Sequence, residues 1–311
     1  MARQPAWHAK IRSALRLAQS QPDVMGVDYG YVSKDGAPIK TLGVRFHVRR
    51  KLPLAELSPS RVLPKTLDDL RCDVIEASYG LSGSPRVACN PVQMGVSIGN
   101  VERTSTGSFG VLVRDKQSST PAVLSNWHVL CGSPQASVND RISQPGPRHL
   151  GSQPARVVAH LERWLSLDTG IDAAIALLES GIPVHPQLFE STAPVSGIEA
   201  PKPGMKLVKY GAASGLTHGK VDGVGGMYKI DYSYYGDAKR WMEGVRLICD
   251  PDFGEDEISL SGDSGAAWVN PQSGKAVALH FAGEDGLGAT AEYALAHPLQ
   301  RIFGLLDLDA V

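Results

Sequence analysis

From residue 95 onward the chain is cut into short apolar runs separated by turn residues, and this rhythm restricts the fold more than any other feature. "GVSIGNV", "GSFGVLVRD", "PAVLSNWHVL", "ARVVAHLERW", "DAAIALLE", "KLVKYG", "GKVDGVGG", "MEGVRLI", "AAWVN" and "AVALHFAG" follow one another. Many are β-branched and Gly-rich, and no long helical period interrupts them. Short strands at close spacing with turn signals between them predict a sandwich or barrel, so the chain is expected to be mainly β. The glycine-rich stretch 212–226 has no Gly-Lys-Ser/Thr ending and no helix after it, which sets aside a phosphate loop.

The first 80 residues have another texture. "MARQPAWHAKIRSALRLAQSQ" lacks the apolar core and small-residue cleavage site of a signal peptide. It reads as an amphipathic helix with Ile11, Leu15 and Ala18 on one face. "VMGVDYGYV" and "KTLGVRFHV" alternate as half-buried strands do, with turn chemistry in "KDGAP" between them. "LPLAELSP" predicts a short helix ending before Pro59, and "DLRCDVIEA" a third strand. The expected organisation is a small α+β domain over 1–80, a linker over 81–94 within the Gly/Ser/Pro-rich "YGLSGSPRVACNP" region, and a β domain over 95–305. A length of 311 residues suits two domains.

Charge and cysteines narrow the function classes. The net charge of −1 points to no nucleic-acid partner, and no apolar run of about 18 residues predicts a membrane span. Residues 1–90 hold 14 Lys and Arg against 8 Asp and Glu, a balance of +6 that leaves −7 for the rest; two ordinary domains with different surfaces account for it. Cys72, Cys89, Cys131 and Cys249 match neither a zinc site nor a dense disulfide framework. Without an export signal, reduced thiols in a cytoplasm are the simplest reading. No metal or cofactor is expected: His149, His160, His185, His218 and His297 have no ligand spacing and read as surface or core histidines.

"LSGDSGAAWV" sets Ser264 between Asp263 and Gly265. Alone this is a good tight turn. His128 ends an apolar run in "VLSNWHVLCG", where a lone histidine is usually a core residue; Asp172 opens one in "GIDAAIALLE", where a lone aspartate is usually a cap. Together they follow the order His, Asp 44 residues later and Ser 92 further on, each at the edge of a β run. A serine hydroxyl is a weak nucleophile until a base takes its proton. His128 would serve as that base and later return the proton, while Asp172 would set the imidazole tautomer and stabilise its charged form. Gly262, lacking Cβ, can turn its N–H inward beside that of Ser264, making an oxyanion hole.

With these residues the chain resembles the trypsin/chymotrypsin-like serine protease superfamily over about 95–305. "SNWHVL", "DAAIAL" and "SGDSGAAWV" look like its histidine, aspartate and nucleophile motifs, and "AVALHFAG" like the strand lining its substrate cleft. Longer strings, "GVSIG", "ISQPGP" and "VRRKLPLAELSP", are similar to cytoplasmic bacterial trypsin-like proteins and the plant narrow-leaf protease group. The resemblance implies two perpendicular β-barrels with the triad at their junction, and a protein or peptide substrate. Departures matter. Val129 rather than Cys follows His128, so the histidine-loop disulfide is not implied. No Ile-Val-Gly-Gly start follows a basic residue, although Arg86-Val87 lies in the cuttable linker. In secreted members a freed N-terminus pairs with the residue here numbered Asp263; without it, Asp263 needs another donor.

Ile258, six places before the nucleophile, corresponds to the base of the specificity pocket and argues against cleavage after Lys or Arg. Ser259 and His280 fall where glutamyl endopeptidases place polar groups for an acidic side chain, and a His with a hydroxyl can hold a carboxylate. If His280 packs away instead, small or medium apolar residues would lead. Three functions stay open: an active intracellular endopeptidase; a binding or scaffold protein keeping the protease fold; and a regulated protease of an antiviral defence pathway, freed by a sensor partner. A regulatory protein partner would act through the N-terminal domain.

Overall fold

The computed structural model describes residues 6–34, 37–48, 50–76, 85–253, 257–283 and 293–311. Two positions of the "KDGAP" turn and four of the expected linker lie outside the described residues. The chain divides into two compact units, Met1–Ser82 and Gly83–Val311.

In the first unit a helix, Ala6–Gln19, precedes antiparallel strands Val24–Lys34 and Ala37–Val48. The chain then crosses over to Leu70–Glu76, which runs parallel to the second strand, with the short Thr66–Leu67 at the edge. The helix meets the sheet through Ala14 and Ala18, buried with Val44 and Phe46, and through Leu17. Leu15 is 45% exposed, so the buried face is rotated from the one expected through Ile11, Leu15 and Ala18. The small alanines, rather than the larger leucine, let the helix lie close on the sheet. "LPLAELSP" forms no single helix: two 3₁₀ turns, Leu54–Glu56 and Pro59–Arg61, replace it. Pro59 lacks the N–H that would continue the first turn and starts the second.

The second unit begins earlier than the sequence suggested. Val92–Met94 is a strand within the stretch expected as linker, and Val92 and Met94 are fully buried in the main core. An eight-stranded sheet follows, in the spatial order Leu308–Ala310, Val111–Asp115, Pro121–Ser125, Ala174–Leu178, Val157–Trp164, Arg141–Ser143, Ser97–Asn100 and Gly107–Ser108. Gly107–Ser108 at one end leads directly in sequence to Val111–Asp115 near the other, so the sheet curls back towards itself. Val184–Leu188 pairs in parallel with Val92–Met94, and Lys206–Gly211, Gly215–Asp231, Lys239–Cys249, Tyr293–Pro298, Lys275–Gly283 and Ala267–Asn270 form a closed barrel, sealed where Val208 pairs with Val269. Its core holds Leu207, Val221, Leu247, Trp268 and Val277.

Two features go beyond the expected strands. The 212–226 stretch is the start of the long strand Gly215–Asp231, whose hairpin with Lys239–Cys249 ends in the turn Ser233–Tyr235. After the second barrel a helix, Leu299–Leu306, buries Leu299, Ile302, Phe303 and Leu306, and Leu308–Ala310 returns to pair with Val113–Asp115. The fold therefore continues past residue 305. Its last strand ties the end of the chain to the first sheet.

Candidate active site

His128 does not continue its strand. The strand stops at Ser125, and Trp127–Leu130 makes one helical turn that aims the imidazole across the sheet edge. Asp172 lies two residues before the neighbouring strand Ala174–Leu178 and is fully buried. Asn126 donates its side-chain N–H to the Asp172 carbonyl at 2.8 Å, and the His128 backbone N–H donates to Asp172 Oδ1 at 3.2 Å. These bonds lock the two loops together. His128 Nδ1 then lies 2.5 Å from Asp172 Oδ2. With its Nδ1 proton given to the carboxylate, the ring presents Nε2 as a proton acceptor.

Asp172 is also gripped from the second barrel. The Tyr232 hydroxyl donates to Oδ2 at 2.9 Å. The Asp172 backbone N–H donates to His297 Nε2 at 3.1 Å, and His297 Nδ1 lies 2.5 Å from the Glu243 carbonyl. This sets His297 as neutral, with its proton on Nδ1. Burial lowers its pKa to about 4, consistent with that state. Burial would raise the Asp172 carboxyl, but His128, with the Tyr232 hydroxyl, more than offsets it and holds it below the usual range. Burial and the nearby Asp172 push the Tyr232 phenol strongly upward, so it remains a donor.

Tyr232 and His297 were not foreseen as site residues. His297 reads from sequence as a surface or core histidine; it is a core residue whose ring accepts from the Asp172 N–H and stacks on Phe281 at 3.9 Å. Tyr232 sits at the tip of a hairpin, where sequence shows only an aromatic turn. Replacing Tyr232 by Phe removes one hydrogen bond to a buried carboxylate. We expect kcat to fall about 10-fold with KM little changed, since such a bond is worth ~1.5 kcal/mol or more; steady-state kinetics on an ester substrate checks it.

Ser264 follows the second barrel's turn at 260–263. Gly262 has φ 111° and Gly265 φ 91°, a region glycine enters without strain. Gly265 also has no room for a Cβ, which would strike Ser125 Oγ and the Ser108 carbonyl. Ser108 N–H donates to the Ser264 carbonyl at 2.7 Å. The Ser264 turn is thus pressed against Ser125, at the end of the strand that leads to His128. Among the described residues, no hydrogen bond joins the Ser264 hydroxyl to His128, and the backbone N–H groups of Gly262 and Ser264 have no acceptor. The Gly262 and Ser264 N–H groups are therefore unspent donors beside the Ser264 hydroxyl.

Asp263 does find another donor. Its Oδ2 lies 2.8 Å from Lys209 Nζ, both side chains being wholly buried. Ser214 Oγ donates to the same oxygen at 2.6 Å and Leu260 N–H at 3.0 Å, while Ala213 and Ser214 N–H donate to Oδ1. Burial would raise this carboxyl, but Lys209 above all, with Ser214, holds it well below the usual range. The lysine also lies 5.4 Å from the Trp268 ring centroid. Its signal was legible in part: in "KLVKYG", Lys209 shares the inward parity of Leu207.

A cavity of about 520 Å³ opens beside Ser264, lined by Ser259, Leu260, Ser261, His280, Ala282, Gly283, Tyr293 and the stretch Lys229–Asp231. Ser259 and His280 therefore line one cavity with Ser264. Ile258 does not: it is fully buried against the second barrel's core with Trp268 and Val277, so it forms no pocket base. The two adjacent side chains part: Ser259 lines the cavity and Ile258 packs into the barrel core. Burial, then Lys209, lowers the His280 pKa to about 3, and its Nδ1 is buried with no hydrogen-bond partner among the described residues.

No family profile matches the chain, and no curated protein matches it by sequence. Solved structures do match by shape. Nocardiopsis protease superposes with a TM-score of 0.52 at 14% identity, covering 71% of this chain and 99% of that one. Thermobifida fusca protease A gives 0.51 at 17%, covering 72% and 99%. A glutamic-acid-specific serine protease, described as using a histidine triad in substrate binding, gives 0.51 at 21%, covering 71% and 100%. The two sheets, the order of their strands and these neighbours together make this a chain with the chymotrypsin-like serine protease fold.

Proposed function

We propose that the chain is a serine endopeptidase that cleaves peptide bonds through an acyl-enzyme. The observation that carries this is the hydrogen-bonded His128–Asp172 pair, together with a Ser264 turn that is tied through Ser108 to Ser125 at the end of the strand before His128 and whose Gly262 and Ser264 N–H groups are unspent among the described residues. In this reading Ser264 Oγ attacks the scissile carbonyl as His128 Nε2 takes its proton. Gly262 and Ser264 N–H hold the oxyanion. His128 then gives the proton to the leaving amine, and a water repeats the sequence to release the acid. A fluorophosphonate probe tests it. Mass spectrometry is expected to find the adduct on Ser264 alone in the untreated protein and none after heat unfolding. An unlabelled folded protein would favour a scaffold role.

For the substrate we propose an acidic residue on the carbonyl side of the cut bond. His280 and Ser259 line the cavity beside Ser264, and His280 carries an orphaned ring nitrogen. The glutamate-specific neighbour supports the same reading. The empty-state pKa of about 3 leaves His280 neutral at pH 7. A bound carboxylate favours its charged form, so binding takes up a proton. Selectivity for Glu over Gln is therefore expected to fall as pH rises, and to vanish in His280→Ala. A peptide library varied at that position decides between this and an apolar preference.

We place the protein in a reducing compartment, a proposal supported by the free state of all four cysteines. Regulation by a protein partner through residues 1–80 remains part of the same proposal.

A further inference from the structure

Arg86 stands three residues after the start of the second unit. Its Nε donates to the Ala212 carbonyl at 2.7 Å and a terminal nitrogen to the Ala213 carbonyl at 3.3 Å. Each of these carbonyls belongs to a peptide unit whose N–H faces the other way. The Ala212–Ala213 unit donates its N–H to Asp263 Oδ1 at 3.0 Å, and the Ala213–Ser214 unit does the same at 2.9 Å. Two peptide planes thus lie in line between a guanidinium and a buried carboxylate. Their dipoles point with the field, oxygen towards the cation and hydrogen towards the anion, so each bond strengthens the next. The same loop reaches the oxyanion turn by another path. Ala212 N–H donates to Ser108 Oγ at 3.0 Å, and Ser108 Oγ donates to the Gly262 carbonyl at 3.0 Å.

We propose that Arg86 is a positioning residue that, through these two peptide units, acts as the outer counter-ion of Asp263 and holds the oxyanion turn in its working shape. The proposal rests on the endopeptidase reading above. It also gives a direction to the effect of a cut at Arg86-Val87. Cleavage there would detach the arm from the loop it braces and slow the enzyme. The segment entering the second unit is thereby the place where a pull on the chain is felt by catalysis.

The test compares wild type, Arg86→Ala and Arg86→Lys for fluorophosphonate labelling rate, kcat, KM and thermal midpoint. Wild-type labelling at Ser264 secures the protease reading independently; its absence would sink that reading and this one with it. Arg86→Ala is expected to lower kcat and the labelling rate together by about 10-fold, the worth of one charge-assisted hydrogen bond, with KM and midpoint little changed. Arg86→Lys, able to reach one carbonyl, is expected to recover part of the loss. If Arg86→Ala does not fold, Arg86→Gln gives the same comparison with a neutral donor and is expected to be slowed. A labelled wild type beside a variant of equal kcat overturns the proposal alone, as does a loss confined to KM or to the midpoint.

Discussion

Ser264→Ala is expected to lower kcat for peptide hydrolysis by about 10⁶-fold, and His128→Ala by as much, while the fold survives. The surroundings explain why folding is spared. The Ser264 hydroxyl makes no hydrogen bond among the described residues, and the backbone bonds of its turn are untouched by the substitution. Asp172→Asn is expected to cost about 10⁴-fold, because an amide lets the imidazole proton sit on the wrong nitrogen. Its fold is at greater risk, since Oδ2 of this residue also meets Tyr232. Double variants should be little worse than the worst single one, because base and nucleophile act as a unit. Circular dichroism secures the fold, and single-turnover hydrolysis reads the chemistry. Undiminished hydrolysis by purified Ser264→Ala would end the triad assignment.

Lys209→Met is the second large effect, and it acts on stability and activity at once. Removing the lysine strands the Asp263 carboxylate in a wholly buried setting; breaking such a pair costs on the order of 3–5 kcal/mol. The pH dependence has a definite sign. In the wild type the Asp263 pKa is depressed, so its contribution is present above the unfolded value near ~4 and is lost only as pH falls below it. Without Lys209 burial dominates and raises that pKa. The variant should then lose stability as pH rises, the reverse of the wild type. To escape, Asp263 must turn towards water and take the Gly262 and Ser264 N–H groups with it. Loss of an oxyanion donor lowers rate by about 10²–10³-fold. Lys209→Arg keeps the charge and should keep much of the activity. Urea unfolding at pH 5 and pH 8, with kcat at pH 7, checks both parts; equal stability at the two pH values in Lys209→Met would show that Asp263 is held by its hydroxyl and backbone donors alone.

Several features were legible in the sequence because they depend on local pattern. Alternation and turn residues marked the strands, since side chains on a strand take opposite faces and a register slip would expose them. The order of His128, Asp172 and Ser264 pointed to the proposed triad, and the glycines at 262 and 265 marked the turn that holds Ser264, because glycine enters backbone angles of that kind without strain. Other features depended on parity counted from the wrong place. Ile258 and Ser259 are adjacent, and only the path of the chain decides which one faces the cavity. Leu15 and Ala14 differ in the same way: one residue along a helix moves the side chain by about a quarter turn.

What the tertiary structure alone decided is which distant groups meet. Lys209 and Asp263 are 54 residues apart, Tyr232 and Asp172 are 60, and His297 and Asp172 are 125. No local propensity records such pairs. They arise because the closed second barrel brings its first strand under the nucleophile turn, its long hairpin to the Asp172 carboxylate and its Tyr293–Pro298 strand behind Asp172. Burial then makes each pairing obligatory, since a polar group removed from water must find a partner inside the protein or be left unsatisfied at high cost.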